Sequence, residues 1–332
     1  MPAQLKNDSF KLKDLSVIIP TYNRSQDLRE TIQSFKSKII FLKEIIIIDQ
    51  STDTKTKEMI EAIESKKIKY FHTDIPSLTK ARNKGASLVA KETKLICFLD
   101  DDVTLDKAYF ENILAVFNKH HSAQGVSGWF FPREVKNFSR FENAVKRLFF
   151  IECFEKNKAQ VLSAYGATYP YMLTKIINTQ WLSGFNMTFK KEVCLEFKFD
   201  EKLARYALGE DFDFTYRVFK KYPLGLFITP EAAIVHRASI IERMPTEKLA
   251  YMNQINHFYF NYKNFNVSLK ERTLFVWCIT GISFLRLLFY LKTRKENEKL
   301  KFLYFIRSIK HVIKNKEKIR KGNLLPLYFQ ER

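Results

Sequence analysis

Cysteine is scarce in this chain of 332 residues, with only Cys97, Cys153, Cys194 and Cys278, widely separated. They show neither the paired spacing of a zinc site nor a disulfide framework, so a reducing, cytosolic setting is expected. Glycine is also thin, at nine residues. Neither G-x-G-x-x-G nor a Walker A sequence follows any apolar run, which counts against dinucleotide oxidoreductases and P-loop enzymes. Met1 to Asp14 is polar and lacks the apolar stretch of a signal peptide.

Positive charge, by contrast, is in excess. The formal net charge is +20, and from residue 241 onward 19 Lys/Arg face 7 Asp/Glu, which leaves a net of +8 for the first 240 residues. Nucleic acid, anionic lipid and nucleotide-diphosphate substrates would all be drawn to such a surface, so charge alone does not choose among them.

The apolar runs give the order of elements. Leu15 to Pro20 reads as a buried strand and Ser25 to Phe35 as a helix; Glu44 to Asp49 is a second strand, followed by a helix near Lys55 to Ser65. Ile68 to His72 suggests a third strand, Leu78 to Ala90 a helix, and Lys94 to Leu99 a fourth strand. Strands that are apolar throughout and alternate with helices indicate a parallel sheet covered on both faces. A helix over Lys107 to Lys119 follows. Gln124 to Gln180, with Trp129, Phe130, Phe131, Tyr165, Tyr169 and Tyr171, shows no clear period, and Trp181 lies just beyond it. Trp181 to Phe189 reads as a strand, Leu208 to Phe219 as a helix with an acidic start, and Ala232 to Val235 as a last strand ending at His236.

Ligands of open parallel sheets lie beyond the carboxyl ends of the strands. Those ends carry Thr21, Asn23 and Arg24, then Asp49, then the acid triplet Asp100, Asp101 and Asp102. An apolar strand that runs into three carboxylates suits a hard divalent cation such as Mn²⁺ or Mg²⁺, which takes oxygen ligands and substrate phosphates. An acidic turn capping the next helix would look the same in isolation.

The motifs Val17-Ile18-Ile19-Pro20-Thr21-Tyr22-Asn23-Arg24, Ile48-Asp49, Ala81-Arg82-Asn83-Lys84-Gly85, Phe98-Leu99-Asp100-Asp101-Asp102, Gly184-Phe185-Asn186-Met187 and Gly209-Glu210-Asp211 occur in that order. Together they resemble the family-2 inverting glycosyltransferases with the GT-A fold, over roughly Leu15 to Ser239. The resemblance implies an α/β domain over 1–240, with a mostly parallel central sheet flanked by helices. It also implies transfer of a sugar from a nucleotide-diphosphate donor to a hydroxyl of a glycan or lipid-linked glycan. By that resemblance Thr21, Asn23 and Arg24 line the base and ribose pocket, Asp49 bonds the nucleoside and Arg82 meets the nucleobase or diphosphate. Asp100 and Asp102 form the D-x-D pair, with Asp102 on the metal and Asp100 nearer the ribose, while Asp101 sits among the donor-binding residues without a defined part. Asp211 matches the general base, with Glu210 beside it. His236 lies where many members carry a further metal-site histidine, although a histidine at a strand end is often structural. Many members have a second acid where this chain has Gln50, and Asp213 with Arg217 reads equally well as an i,i+4 surface pair.

The remaining segment, 241–332, is expected to form a helical, basic extension. Thr273 to Leu291 has only Arg286 charged, and its hydropathy is marginal for spanning a bilayer and suited to lying in the interface. Lys292 to Lys321 carries 12 positive and 3 negative residues, with Phe302, Phe305, Ile306, Ile309 and Ile313 at helical spacing. That pattern suits an anionic membrane surface, with a helical pair packed on the catalytic domain as the rival. The expectation is an enzyme at the cytoplasmic face of the cell membrane that needs no nucleic acid. Its rivals are a sugar nucleotidyltransferase, which would normally show a glycine-rich loop, and a basic nucleic-acid-binding protein.

Overall fold

The computed structural model describes residues 9–130, 140–163, 166–239, 245–265 and 268–328; Phe131 and Tyr165 lie outside the described residues. Elements come in the order β1 (Leu15–Thr21), α1 (Ser25–Ser34), β2 (Glu44–Asp49), α2 (Lys55–Glu61), β3 (Ile68–His72), α3 (Leu78–Leu88), β4 (Leu95–Leu99), β5 (Val103–Leu105) and α4 (Tyr109–Lys119). The aperiodic stretch becomes β6 (Gly125–Phe130), α5 (Arg140–Leu148), β7 (Cys153–Lys156), β8 (Val161–Ser163), β9 (Gly166–Tyr171) and β10 (Ile177–Asn178). Then follow β11 (Asn186–Lys190), α6 (Lys191–Glu196), α7 (Glu210–Lys221), β12 (Leu226–His236), α8 (Thr246–Asn264), α9 (Leu269–Thr293) and α10 (Glu296–Lys314).

The main sheet has the strand order β10-β12-β6-β11-β4-β1-β2-β3, with β5 paired to β12. β3, β2, β1 and β4 run parallel, as does β6 with β12, whereas β11 is antiparallel to both its neighbours. Every residue of β1, β2 and β4 is buried, because helices cover both faces. One apolar cluster gathers Leu28, Ile32, Phe110 and Ile113 on one face, and a second gathers Ile18, Phe98, Phe189 and Phe214 on the other.

Three registers place the chemistry. Thr21 pairs with Asp49 across β1 and β2, Asn186 with Leu99 across β11 and β4, and His236 with Val103 across β12 and β5. The last pairing sets His236 beside the acid triplet. On α3, a Cβ at Gly85 would come within 2.4 Å of Ile18 Cγ2, so only glycine lets this helix lie so close to β1. That closeness aims Arg82, three residues earlier on the same inward face, across the strand ends.

Two expectations need correction. The strand over 181–189 begins only at Asn186, because its earlier backbone groups are taken by side chains instead of a ladder: the Leu182 N–H by Thr215, the Gly184 N–H by Asp211 and the Gly184 carbonyl by Arg82. Asp213 and Arg217 are bonded at 3.0 Å, but not as a surface pair, since Asp213 is buried and also accepts from Lys263 and Asn264 of α8.

The C-terminal helices pack on the sheet domain. Met252 and Ile255 of α8 and Val312 of α10 share a buried cluster with Leu203 and Ala207. Lys263 bridges Asp200 at 2.6 Å and Asp213 at 2.8 Å. On α10 the buried residues are Phe305, Ser308 and Val312, while Ile313 is 64% exposed.

Candidate active site

A cleft of about 710 Å³ opens at the carboxyl ends of β1 and β4, within the range of ligand pockets. Thr21, Arg24, Arg82, Asp100, Asp101, Asp102, Asp211 and His236 all line it. Asn23 and Asp49 are not among its lining residues. Asn23 adopts a left-handed φ of 54° and accepts the Thr52 N–H at 3.0 Å, ordering the loop beside the cleft. Asp49 is fully buried beneath, its carboxylate taken by the Tyr70 hydroxyl at 2.8 Å and the Ser51 N–H at 2.9 Å.

One oxygen each from Asp100 and Asp102 and one nitrogen from His236 lie within 4.8 Å of one another. His236 Nε2 stands 3.0 Å from Asp102 Oδ1, an atom that is buried and accepts no well-formed hydrogen bond. The 3.0 Å between His236 Nε2 and Asp102 Oδ1 is the spacing of adjacent ligands on an octahedral ion with bonds of about 2.1 Å, and two carboxylates with an imidazole form a donor set that a divalent cation such as Mg²⁺ or Mn²⁺ accepts. The His236 ring is stacked on Phe185 at 5.0 Å with planes 10° apart, which fixes its direction. Asp102 is held by its other oxygen, which accepts the Ser239 N–H at 2.9 Å. Burial works to raise the Asp102 carboxyl, but His236, that N–H and Arg24 outweigh it and keep it below its ordinary value.

Asp101 is bonded to β1 and the loop after it. It accepts from the Thr21 hydroxyl at 2.7 Å and from Arg24 at 3.3 Å, and burial drives its carboxyl up to about 7 in spite of them. Its main chain is gripped as well, since the Asp101 carbonyl accepts the Thr31 hydroxyl at 2.6 Å. Asp101 thus lines the cleft with its neighbours while its own groups are bonded to Thr21, Arg24 and Thr31.

Across the cleft, α7 starts from Gly209 at φ +80°, a left-handed turn that suits glycine. Asp211 in its first turn accepts the Gly184 N–H at 2.7 Å on Oδ2 and the Phe212 N–H at 2.7 Å on Oδ1. Burial raises the Asp211 carboxyl, with those N–H groups and Arg82 opposing the rise. The result is a carboxylate with basicity above the ordinary range, able to take a proton. Arg82, 1% exposed, ties the two walls together through Glu210 at 2.6 Å, Asp100 at 3.0 Å and the Gly184 carbonyl at 2.9 Å. Its two terminal nitrogens thus link acids from both walls, while its Nε makes no hydrogen bond. Burial and the Asp211 charge push Glu210 upward, against the pull of Arg82.

Sequence reasoning did not find Tyr22, Tyr206 and Lys248, which also line the cleft. Tyr22 sits inside the first motif but was given no part there; Tyr206 and Lys248 belong to no short motif, Tyr206 coming from a loop and Lys248 from α8, a helix that the sequence assigns to the extension.

Residues 16–194 match the family model described as glycosyl transferase family 2. Validoxylamine A glucosyltransferase of Streptomyces hygroscopicus subsp. jinggangensis is 33% identical over 129 residues, 37% of this chain and 30% of that one. GalNAc(5)-diNAcBac-PP-undecaprenol beta-1,3-glucosyltransferase of Campylobacter jejuni is 28% identical over 110 residues, 32% of this chain and 36% of its own length. The chain thus spans about a third of these curated relatives. The crystal structure of S. aureus TarS 1–349 has the same fold at a TM-score of 0.51 and 15% identity, over 95% of this chain and 89% of that one.

Proposed function

The chain belongs to glycosyl transferase family 2, and from that premise we propose that it moves a sugar from a nucleoside-diphosphate donor to a hydroxyl of a glycan or lipid-linked glycan. The observation that carries this reading is the meeting in one cleft of the Asp100, Asp102 and His236 donor set with Asp211 on the opposite wall. Asp100, Asp102 and His236 would hold a divalent cation, which when bound neutralises charge on a diphosphate leaving group.

The remaining steps belong to the protein. Thr21, Tyr22 and Arg24 border the side of the cleft on which a nucleoside lies in this reading. Arg82 and the Gly184 N–H hold the acids of α7 rigid before substrate arrives, so little reorganisation is needed during reaction. Asp211 takes the proton of the acceptor hydroxyl as its oxygen attacks the anomeric carbon. The bond from that carbon to the phosphate oxygen breaks, and its electron pair leaves with the nucleoside diphosphate. One displacement of this kind inverts the anomeric centre.

We place this reaction at an anionic membrane surface. Among the described residues one helix, Arg272–Thr293, is long and apolar enough to cross a membrane. One of its faces is packed: Cys278 is buried with Ile151, and the Trp277 indole donates to the Leu148 carbonyl at 2.9 Å. A docked face of this kind supports a helix lying in the interface over one that spans.

The reading is tested by screening nucleotide sugars, with Mn²⁺, for release of nucleoside diphosphate in the presence of lipid-linked and free glycans. The wild type is expected to release it and Asp211→Asn to lose about 10²–10⁴-fold in kcat. Equal rates in the two proteins would remove Asp211 from the chemistry.

A further inference from the structure

A second cavity of about 770 Å³ meets the first at Ser183, Leu208, Gly209 and Asp211, which line both. Its walls come from the irregular segment around β7 and β9 on one side and from α8, α9 and α10 on the other. Both cavities therefore reach the same carboxylate, from two directions.

The lining of the second cavity has a definite chemistry. Trp181 and Tyr169 stand together with ring centroids 4.7 Å apart, and Phe212 lies 6.0 Å from Trp181. Trp181 is only 6% exposed, and its indole N–H has no hydrogen-bond partner. A buried donor left unpaired costs about 1–3 kcal/mol, so such a group calls for an explanation. Aromatic faces beside an unpaired N–H suit a sugar, whose C–H face packs on the rings and whose hydroxyl accepts the hydrogen bond. Lys146 and Arg286 line the same cavity and add positive charge.

The far wall is α9. Ile282, Leu285 and Arg286 line the cavity, while Leu288, Phe289 and Leu291 are exposed on the same helix. One helix thus separates an acceptor-sized cavity from an apolar outer surface.

We propose that this second cavity is the acceptor site and that it takes a sugar carried on a lipid phosphate. The sugar ring lies against Trp181 and Tyr169 with a hydroxyl toward Asp211, the phosphate meets Lys146 and Arg286, and the lipid leaves along α9 toward the bilayer. This assignment rests on the glycosyltransferase reading, which supplies the role of Asp211.

The test is equilibrium binding to the full chain. The probes are farnesyl diphosphate conjugates of glucose, galactose, N-acetylglucosamine and N-acetylgalactosamine, each free sugar, and farnesyl diphosphate alone. At least one conjugate is expected to bind about tenfold or more tighter than its free sugar and than farnesyl diphosphate. Trp181→Phe and Arg286→Gln are each expected to weaken it by about five- to twentyfold, the size of one lost hydrogen bond or charge contact. Neither variant should change the binding of nucleoside diphosphates with Mn²⁺ by more than about twofold, since neither residue lines the first cleft. Conjugates that bind no tighter than farnesyl diphosphate or the free sugars, or variants that bind them as the wild type does, would overturn the proposal. Loss of nucleoside-diphosphate binding alongside the conjugate would also overturn it, by showing that the substitutions damage the fold. Failure of the wild type to bind any nucleoside diphosphate with Mn²⁺ would instead count against the glycosyltransferase reading.

Discussion

Removing the guanidinium of Arg82 should be among the most damaging single changes outside the apolar core. Arg82→Met keeps most of the volume but deletes bonds to Glu210 Oε1 at 2.6 Å, Asp100 Oδ1 at 3.0 Å and the Gly184 carbonyl at 2.9 Å. Glu210 is 6% exposed and beside Asp211, so it cannot recover its lost partner from water. Stripping one partner from a buried ion pair costs about 3–5 kcal/mol. Against a total stability of about 5–15 kcal/mol this is a large fraction. With a urea dependence of about 3 kcal/mol/M, the unfolding midpoint should fall by about 1–1.7 M.

Arg82→Met with Glu210→Met removes both buried charges and should recover to within about 1–2 kcal/mol of wild type. Asp100 tolerates the change because its side chain is 29% exposed and can be hydrated. Urea titrations followed by tryptophan fluorescence measure all four corners of this cycle. A single variant within about 0.3 M of wild type, or a double variant as weak as the sum of the singles, would refute the reasoning. Donor cleavage should be lost in both Met variants, because Asp100 and the Gly184 loop lose their anchor.

Other perturbations separate the parts of the site. At Gly184 an added Cβ would lie 3.1 Å from Asp211 Oδ2 and 3.0 Å from its Cβ, so Gly184→Ala should shift the base by a few tenths of an ångström. It should lower kcat by about tenfold or more, with nucleoside-diphosphate binding unchanged in calorimetry. Because burial raises the Asp211 carboxyl, and a base must be ionised, kcat/KM should fall as the pH drops through that raised value. An acid limb no higher than that of an exposed carboxylate would contradict this assignment. Lys263→Met should destabilise at neutral pH by about 2–4 kcal/mol, since Asp213 is buried and Asp200 half-buried. Burial tends to raise Asp200, but Lys263 outweighs it and depresses the folded value, so this stability is present above the ordinary 3.8 and is lost as the pH falls through the lower folded value. The gap between Lys263→Met and wild type in urea titrations should therefore close in acid. In vesicle sedimentation, Phe289→Glu with Leu291→Glu should weaken binding to phosphatidylglycerol membranes by about 10-fold or more, because both side chains are exposed on α9.

Much of the sheet was legible because its central strands are buried on both faces. The uninterrupted apolar runs of β1, β2 and β4 could form little else, and the acids at their ends mark the ligand edge. The part played by Arg82 was not legible, because its partner Glu210 lies 128 residues away and only the close approach of α3 to β1 joins them. The hydrogen bond from Tyr70 of the adjacent strand to Asp49 could not be read from the sequence, because the two residues lie 21 apart and only the pairing of β2 with β3 brings them together. The second cavity was hidden for a different reason. Its near wall is built around β7 and β9, strands of four and six residues with no sustained period, too short to declare themselves by pattern. Which side of α10 faces inward was not legible, since packing on α8 and α9 decides which of several apolar stripes is buried.

The central claim is that Asp100, Asp102 and His236 gather a cation and a nucleoside-diphosphate sugar at one cleft. It is tested most directly by measuring donor cleavage across UDP-, GDP-, CDP- and TDP-sugars with Mn²⁺, with EDTA, and in Asp102→Asn. The account predicts cleavage of at least one donor, abolished by EDTA, restored by Mn²⁺ or Mg²⁺, and reduced by about 10²-fold or more in Asp102→Asn. Cleavage that persists at full rate in EDTA and in Asp102→Asn, or no cleavage of any donor, would contradict it.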